Sequence, residues 1–300
     1  MAYDDGVTRY DSPIHRSWLE LSRGIRMYVT ATSVHVSERG RRMSRRHEFL
    51  SPEGLRVDGR RAGEARRIRC RLGALPDADG SAYLEQGNTK LLVSVHGPHE
   101  ASRRSKAGAQ QQDRAALSCE FVAMPYATGE HKPQSHGDRG AAEMAAAIRR
   151  AFEPVVQTQL YPRSHIDVSI CVLQSDGGVR SAAINATSLA LVDAGVAMED
   201  FVCSCSAGSV QGQLLLDLNS QEDGAGAELS VGYLPCAERV SFVQLESKLP
   251  LSSMQETLNF AIEGCKQIAE VLKAAVELRM QQTLTTAHAT TTPSRHMQSA

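Results

Sequence analysis

The sequence predicts an α+β protein. Three observations carry that reading. Hydrophobic spacing switches repeatedly between the two-residue period of strands and the 3.6-residue period of helices. The strands come in two rounds, each followed by a helix. The chain of 300 residues, 42% apolar and 22% charged, can bury one large core or two smaller ones.

Residues 1–50 mix Arg, Ser, Thr and Gly without sustained periodicity and include RGRRMSRRHE (39–48), so a disordered Arg-rich extension is expected there. IRCRLGAL (68–75) and SAYLEQGNTKLLVSVHG (81–97) read as strands, with QGNTK as a Gly-Asn hairpin connection. ALSCEFVAMPYA (116–127) continues the strands. GAAEMAAAIRRAFEPV sets Met144, Ile148, Ala151 and Val155 at helical spacing, and the Glu-Pro step ends that helix. IDVSICVLQ (166–174) alternates Ile166, Val168, Ile170 and Val172 on one strand face. SAAINATSLALVDAG then predicts a helix stopped by Gly195. FVCSCSAGSV with QLLLDLN forms a second hairpin, and ELSVGYLP and RVSFVQLE supply further strands. The closing helix, 254–280, carries Leu258, Ile262, Cys265, Ile268, Leu272 and Val276 on one face. The Thr-rich residues 281–300 are expected to be a disordered tail. The domain expectation is therefore one body over 51–280 between two extensions.

The composition excludes several classes. The longest apolar runs, LLLDL and LLVSV, are far too short for a membrane-spanning helix, so no membrane partner is expected. Residues 1–46 show no secretory signal pattern. Seven cysteines, an odd number without framework spacing, suit a reducing compartment, the cytosol or nucleus. Cys203 and Cys205 lack a second pair at metal spacing and read as buried strand cysteines. The net charge of −1 hides a split: residues 1–70 hold fifteen Arg and no Lys against nine acids, while 201–280 hold five basic and ten acidic residues. A polyanion partner on one side and a protein neighbour on the other would match it. The run RRAGEARRIR (60–69) alternates arginines on a strand, a pattern that favours a protein-contacting face.

Several blocks, taken in order, resemble the RNase PH family, and within it the ring subunits of the eukaryotic RNA exosome. They are RVDGRRAGEARRIRCRLG (56–73), DGSAYLEQGNTKLLVSVHGPHE (79–100), HGDRGAAE (136–143), LYPRSHIDVSICVLQSDGGVRSAAINATSLALVDAG (160–195) and MEDFVCSCSAG (198–208). The resemblance covers about 51–280. It implies the RNase PH fold, related to the second domain of ribosomal protein S5, with six such folds closing a ring around a channel for single-stranded RNA. Active members cleave RNA from the 3′ end with inorganic phosphate as nucleophile. The implied partners are single-stranded RNA, the other ring and cap subunits and a hydrolytic exoribonuclease. The implied location is the nucleus, including the nucleolus, and the cytoplasm.

The resemblance also assigns residues. Gly178, Val179 and Arg180 match a Gly-Thr-Arg phosphate-binding segment at a helix start, with the threonine hydroxyl absent. The amides of Arg180 and Ser181 would face an anion there. Arg139 in HGDRG matches a second phosphate-binding arginine. The loop 99–114, with Arg103 and Arg104, would meet RNA near the channel entrance, in a salt-dependent and sequence-blind manner. Catalytic members carry one Asp after a DLN-type strand and a second six positions later. Here Asp223 matches the first and Leu229 falls at the second, with Glu228 next to it. Since a one-residue shift along a strand reverses the face, Glu228 is expected to point away from Asp223 unless a bulge turns it inward. A lone Asp223 is a poor Mg²⁺ site, so no metal and no cofactor are expected.

The favoured expectation is accordingly a non-catalytic, RNA-channel subunit of the exosome ring that supports 3′-to-5′ RNA processing, including rRNA maturation. The alternative is an active phosphate-dependent 3′-to-5′ exoribonuclease using Mg²⁺ and inorganic phosphate, with Asp223 and Glu228 sharing the metal. A stand-alone RNA-binding protein is the third.

Overall fold

The QGNTK turn closes the first hairpin as its residues require. Gly87 adopts φ 62°, and the turn joins β2 (Gly80–Gln86) to β3 (Thr89–Glu100). The computed structural model describes residues 49–291 except 52, 101–112, 129–137, 211 and 225, with side chains described as far as 285. The Arg-rich stretch 1–48 thus lies outside the described residues, as do Arg103 and Arg104.

β1 (Ile68–Leu72) pairs antiparallel with β2. β5 (Ser164–Gln174) pairs antiparallel with β3, and β4 (Ala116–Ala123) lies at the edge, parallel to β5. The first sheet therefore runs β1-β2-β3-β5-β4. A second sheet runs β7-β6-β8-β9, built from β6 (Cys203–Val210), β7 (Gln213–Leu216), β8 (Ala227–Leu234) and β9 (Arg239–Leu245). Four helices complete the fold: α1 (Arg139–Phe152), α2 (Val179–Asp193), the single turn α3 (Ser220–Asp223), and α4 (Leu251–Thr291).

The predicted alternation in β5 is realised, with Ile166, Val168, Ile170 and Val172 all buried. α2 packs against β2 and β3 of the first sheet and β6 of the second, and Ser181 through Leu191 are buried without interruption. Small side chains at 182, 183, 186 and 190 let two sheets approach one helix. α4 covers β6 and β8 with Cys265, Ile268 and Leu272. It continues to Thr291, past residue 280 where the apolar stripe ends. α1 stops at Phe152, so Val155 is buried just beyond the helix rather than on it.

Arg61, Arg67 and Arg69 of the arginine run are exposed, but Arg66 departs from expectation in a way that organises the molecule. Arg66 turns inward and is 6% exposed. Its Nη2 meets Asp217 Oδ1 at 2.7 Å and its Nε donates to Oδ2 at 3.0 Å, while Nη1 donates to the carbonyls of Asp176 at 2.8 Å and Gly177 at 3.2 Å. Gln86 Nε2 and the Arg66 backbone N–H donate to the same carboxylate. Arg56 is likewise buried, paired with Glu222 and donating to the Asp217 carbonyl at 3.1 Å. Arg60 donates to that carbonyl too, at 3.1 Å. Arg56 and Arg66 are buried, and Arg60 half-buried, because a fully buried carboxylate at Asp217, in a left-handed turn with φ 52°, must be compensated by charge and donors.

Burial pushes the Asp217 carboxyl up, but the Arg66 charge and the donors around it outweigh that and hold it below the ordinary range. A depressed pKa contributes stability above the unfolded value, lost as pH falls through the folded one. Asp217→Asn should therefore destabilise by about 3–5 kcal/mol at pH 7, since it leaves Arg66 unpaired. The loss should shrink below about pH 4, where the unfolded-state carboxyl of the native protein is itself protonated. Denaturant titrations at the two pH values check both parts.

Candidate functional site

The two halves of the fold meet at the Gly177–Gly178 turn. Both glycines have positive φ, 77° and 59°. A Cβ on Gly177 would come within 2.5 Å of the Asn219 backbone, and one on Gly178 within 2.5 Å of Arg66 Nη2. Only glycine admits that approach, so the turn lies directly against the segment that opens α3. Asn219 caps α3, accepting from the amides of Gln221 and Glu222, and Glu222 returns a contact to the Asn219 amide. Ser220 Oγ donates to Asp176 Oδ1 at 2.6 Å, and Asn88 Nδ2 donates to Oδ2 at 2.9 Å. The start of α2 and the end of α3 are thereby held side by side.

α2 presents Arg180 and Ser181 in its first turn. Arg180 Nη2 pairs with Glu246 Oε1 at 2.6 Å, just past the end of β9. Ser181 is fully buried, and its Oγ and the Nε of Arg180 have no hydrogen-bond partner among the described residues. The helix N-cap, Gly178, offers no side-chain bond to the first turn. These donors are what a bound oxyanion would use. Val179 supplies no hydroxyl. Arg139 opens α1 in an exposed position behind the Asp138 cap, and no described contact joins it to Arg180.

The carboxylates overturn the expectation for Glu228. Asp223 does not belong to a strand; it is the last residue of the helical turn α3, and β8 begins only at Ala227. The one-residue shift does reverse the face, but the spacing from Asp223 had set the wrong residue, 229, on the site side. Within β8, Glu228 and Ser230 stand opposite Gly208 and Ser206 on one face, while Leu229 and Val231 stand opposite Ala207 and Cys205 on the other. Leu229 is part of the main apolar core. Glu228 is the residue that joins Asp223, without any bulge at that position.

Glu228 is 7% exposed and hydrogen-bonded to the Asp223 side chain. Burial first, then that hydrogen bond and the charges of Asp223 and Glu246, push its carboxyl up to about 9, against the opposing pull of Arg180. These neighbours thus favour the protonated form of the Glu228 carboxyl. Three carboxylates and one guanidinium share the site. Among the described residues no set of three or more His, Cys, Asp or Glu side chains is arranged to hold a metal. The Asp223–Glu228 pair does suit Mg²⁺, a hard cation that is held by one or two carboxylates and completed by substrate phosphate oxygens. Elsewhere, Cys203, Cys205 and Cys265 are buried in the core, where desolvation raises their thiols, Cys265 to about 12.

Sequence reasoning missed Glu246, Asp217, Arg66 and Glu222. The first gave no local signal. The acids of DLNSQED were visible, but their inward partners lie more than 150 residues upstream.

Comparison with known proteins follows the same residues. The model of the 3′ exoribonuclease family, domain 1, matches residues 64–197, and that of domain 2 matches 200–264. The exosome complex component RRP41 of Bos taurus is 44% identical over 236 residues, spanning 78% of this chain and 96% of that protein. The Arabidopsis thaliana RRP41 homolog is 43% identical over 236 residues, spanning 78% and 97%. The crystal structure of rice (Oryza sativa) Rrp46 has a similar fold, with a TM-score of 0.66 at 20% identity over 74% of this chain and 100% of that one, as does the Archaeoglobus fulgidus exosome solved with RNA bound to its active site, with a TM-score of 0.63 at 21% identity over 73% and 92%.

Glu228's raised pKa means that the folded protein retains a proton the unfolded chain has lost between about pH 4.5 and 9, so stability declines as pH rises through that window. Glu228→Gln should flatten the decline and raise the melting temperature at pH 8 by about 2–4 °C for each kcal/mol recovered. Leu229→Asp should instead cost more than about 4 kcal/mol by burying a charge in the core. Thermal melts at pH 5 and pH 8 separate the two.

Proposed function

The chain belongs to the 3′ exoribonuclease, or RNase PH, family, and from that premise we propose that it acts on the 3′ ends of single-stranded RNA as a component of an exosome-type ring and retains phosphorolytic chemistry. The observation that carries the proposal is the convergence of Glu228 with Asp223 beside Arg180. It supplies the second acid that the linear spacing, with Leu229 in its place, had removed.

In phosphorolysis an oxygen of inorganic phosphate attacks the terminal phosphodiester. The bond from phosphorus to the 3′ oxygen breaks, a nucleoside diphosphate leaves, and the shortened RNA keeps a 3′ hydroxyl. Arg180 and the first turn of α2 would orient the attacking phosphate and offset its charge. With Glu228 deprotonated, the Asp223–Glu228 pair would hold Mg²⁺, which would neutralise charge on the phosphate oxygens, while the proton of the attacking hydrogen phosphate passes to the departing 3′ oxygen.

A second reading, a non-catalytic RNA-channel subunit, is favoured by two observations: Val179 lacks a hydroxyl, and Glu246 already occupies Arg180. The two are distinguished by incubating the protein, assembled with its ring partners, with single-stranded RNA, phosphate and Mg²⁺. Nucleoside diphosphates should appear, and Glu228→Gln should reduce their release by about 100-fold or more. No diphosphate from the native assembly would establish the channel reading instead.

A further inference from the structure

The pairing of Arg180 with Glu246 has a cost for any phosphate-using reaction, because the cation that would receive the oxyanion is already neutralised by a carboxylate of the same chain. The two partners are unequal. The Arg180 side chain is 10% exposed and held in the first turn of α2, whereas that of Glu246 is 43% exposed just past the end of β9. The backbone N–H of Glu246 is fixed to the Glu228 carbonyl at 3.1 Å, so the main chain is anchored while the side chain reaches into solvent. Of the two, the carboxylate is the one free to move aside.

The site also holds more donors than Glu246 satisfies. Arg180 Nε and Ser181 Oγ are buried and unpartnered among the described residues. Leaving such groups unsatisfied is costly. A carboxylate has two oxygens and a single charge. A tetrahedral phosphate has more oxygens and, at neutral pH, more charge, so it can engage the guanidinium and leave acceptors for the remaining donors.

We propose that Glu246 is an internal competitor for the phosphate oxyanion at Arg180: it neutralises the guanidinium in the resting protein and must swing aside before phosphate binds. It is a positioning residue that sets phosphate affinity, and the proposal rests on the reading of Arg180 as a phosphate contact. It also accounts for a site with three acids and one base. With Glu246 paired to Arg180, phosphate entry exchanges one anionic partner of the guanidinium for another.

The oxyanion has two sources, inorganic phosphate and the phosphodiester at an RNA 3′ end. Full-length native protein, Glu246→Gln and Glu246→Ala are titrated calorimetrically with inorganic phosphate, without RNA or metal, and in parallel with a short single-stranded RNA. Both variants should bind phosphate about 2–5-fold more tightly than the native chain, the range set by a partly exposed ion pair. Adding Arg180→Met should erase the gain. A gain for RNA alone would support the competitor and assign the oxyanion to the phosphodiester. Unchanged or weaker binding of both ligands by variants that melt like the native protein would overturn it, as would a gain that survives loss of Arg180. Diphosphate release plays no part in these titrations. A failure of phosphorolysis with a gain in phosphate affinity would sink the catalytic reading and leave the competitor standing.

Discussion

The fold turns on the buried pair between Arg66 and Asp217. Asp217 is fully buried in a strained left-handed turn, and Arg66 answers it with charge while spending its other donors on the carbonyls of Asp176 and Gly177. One guanidinium thereby ties the glycine turn of the first sheet to the acid-bearing segment of the second. Arg56 repeats the device one turn away on Glu222. Buried pairs of this kind contribute little net stability relative to an apolar core, yet breaking one is expensive. Their consequence here is geometric: the start of α2 and the end of α3 cannot drift apart without exposing an unpaired charge.

That constraint explains why the functional groups can be mutually repulsive. Asp223, Glu228 and Glu246 would push one another apart on a mobile surface. Held by the α3 cap, the β8 ladder and the β9 end, they relieve the repulsion chemically, by a proton on Glu228 and by the pairing of Glu246 with Arg180. Burial first, and then the like charges that a rigid frame holds in place, raise the Glu228 carboxyl.

Much of the fold was legible because its signals are local. The Gly-Asn hairpin, the alternating β5 and the all-buried small-residue helix α2 follow from periods and turn chemistry that operate within a few residues. The family blocks located the glycine turn, Arg180 and Asp223. Glu228 was misjudged because the six-residue spacing from Asp223 assigned the site face to residue 229, whereas β8 turns Leu229 into the core and Glu228 to the site. Within the arginine run, Arg61, Arg67 and Arg69 are exposed, but Arg66 was misjudged, because alternation along an edge says nothing about what approaches it from elsewhere in the chain. Glu246 had no signal of its own, since its role arises only from the ending of β9 beside α2.

The amino-acid order alone determined an α+β chain, its element sequence and the residue types available for binding an anion, because backbone sterics and hydrophobic period are properties of neighbours. The tertiary structure decided which acid joins Asp223, which arginines are internal and which carboxylate holds Arg180. Those outcomes depend on where separate segments meet, and a burial penalty or an ion pair exists only after they have met.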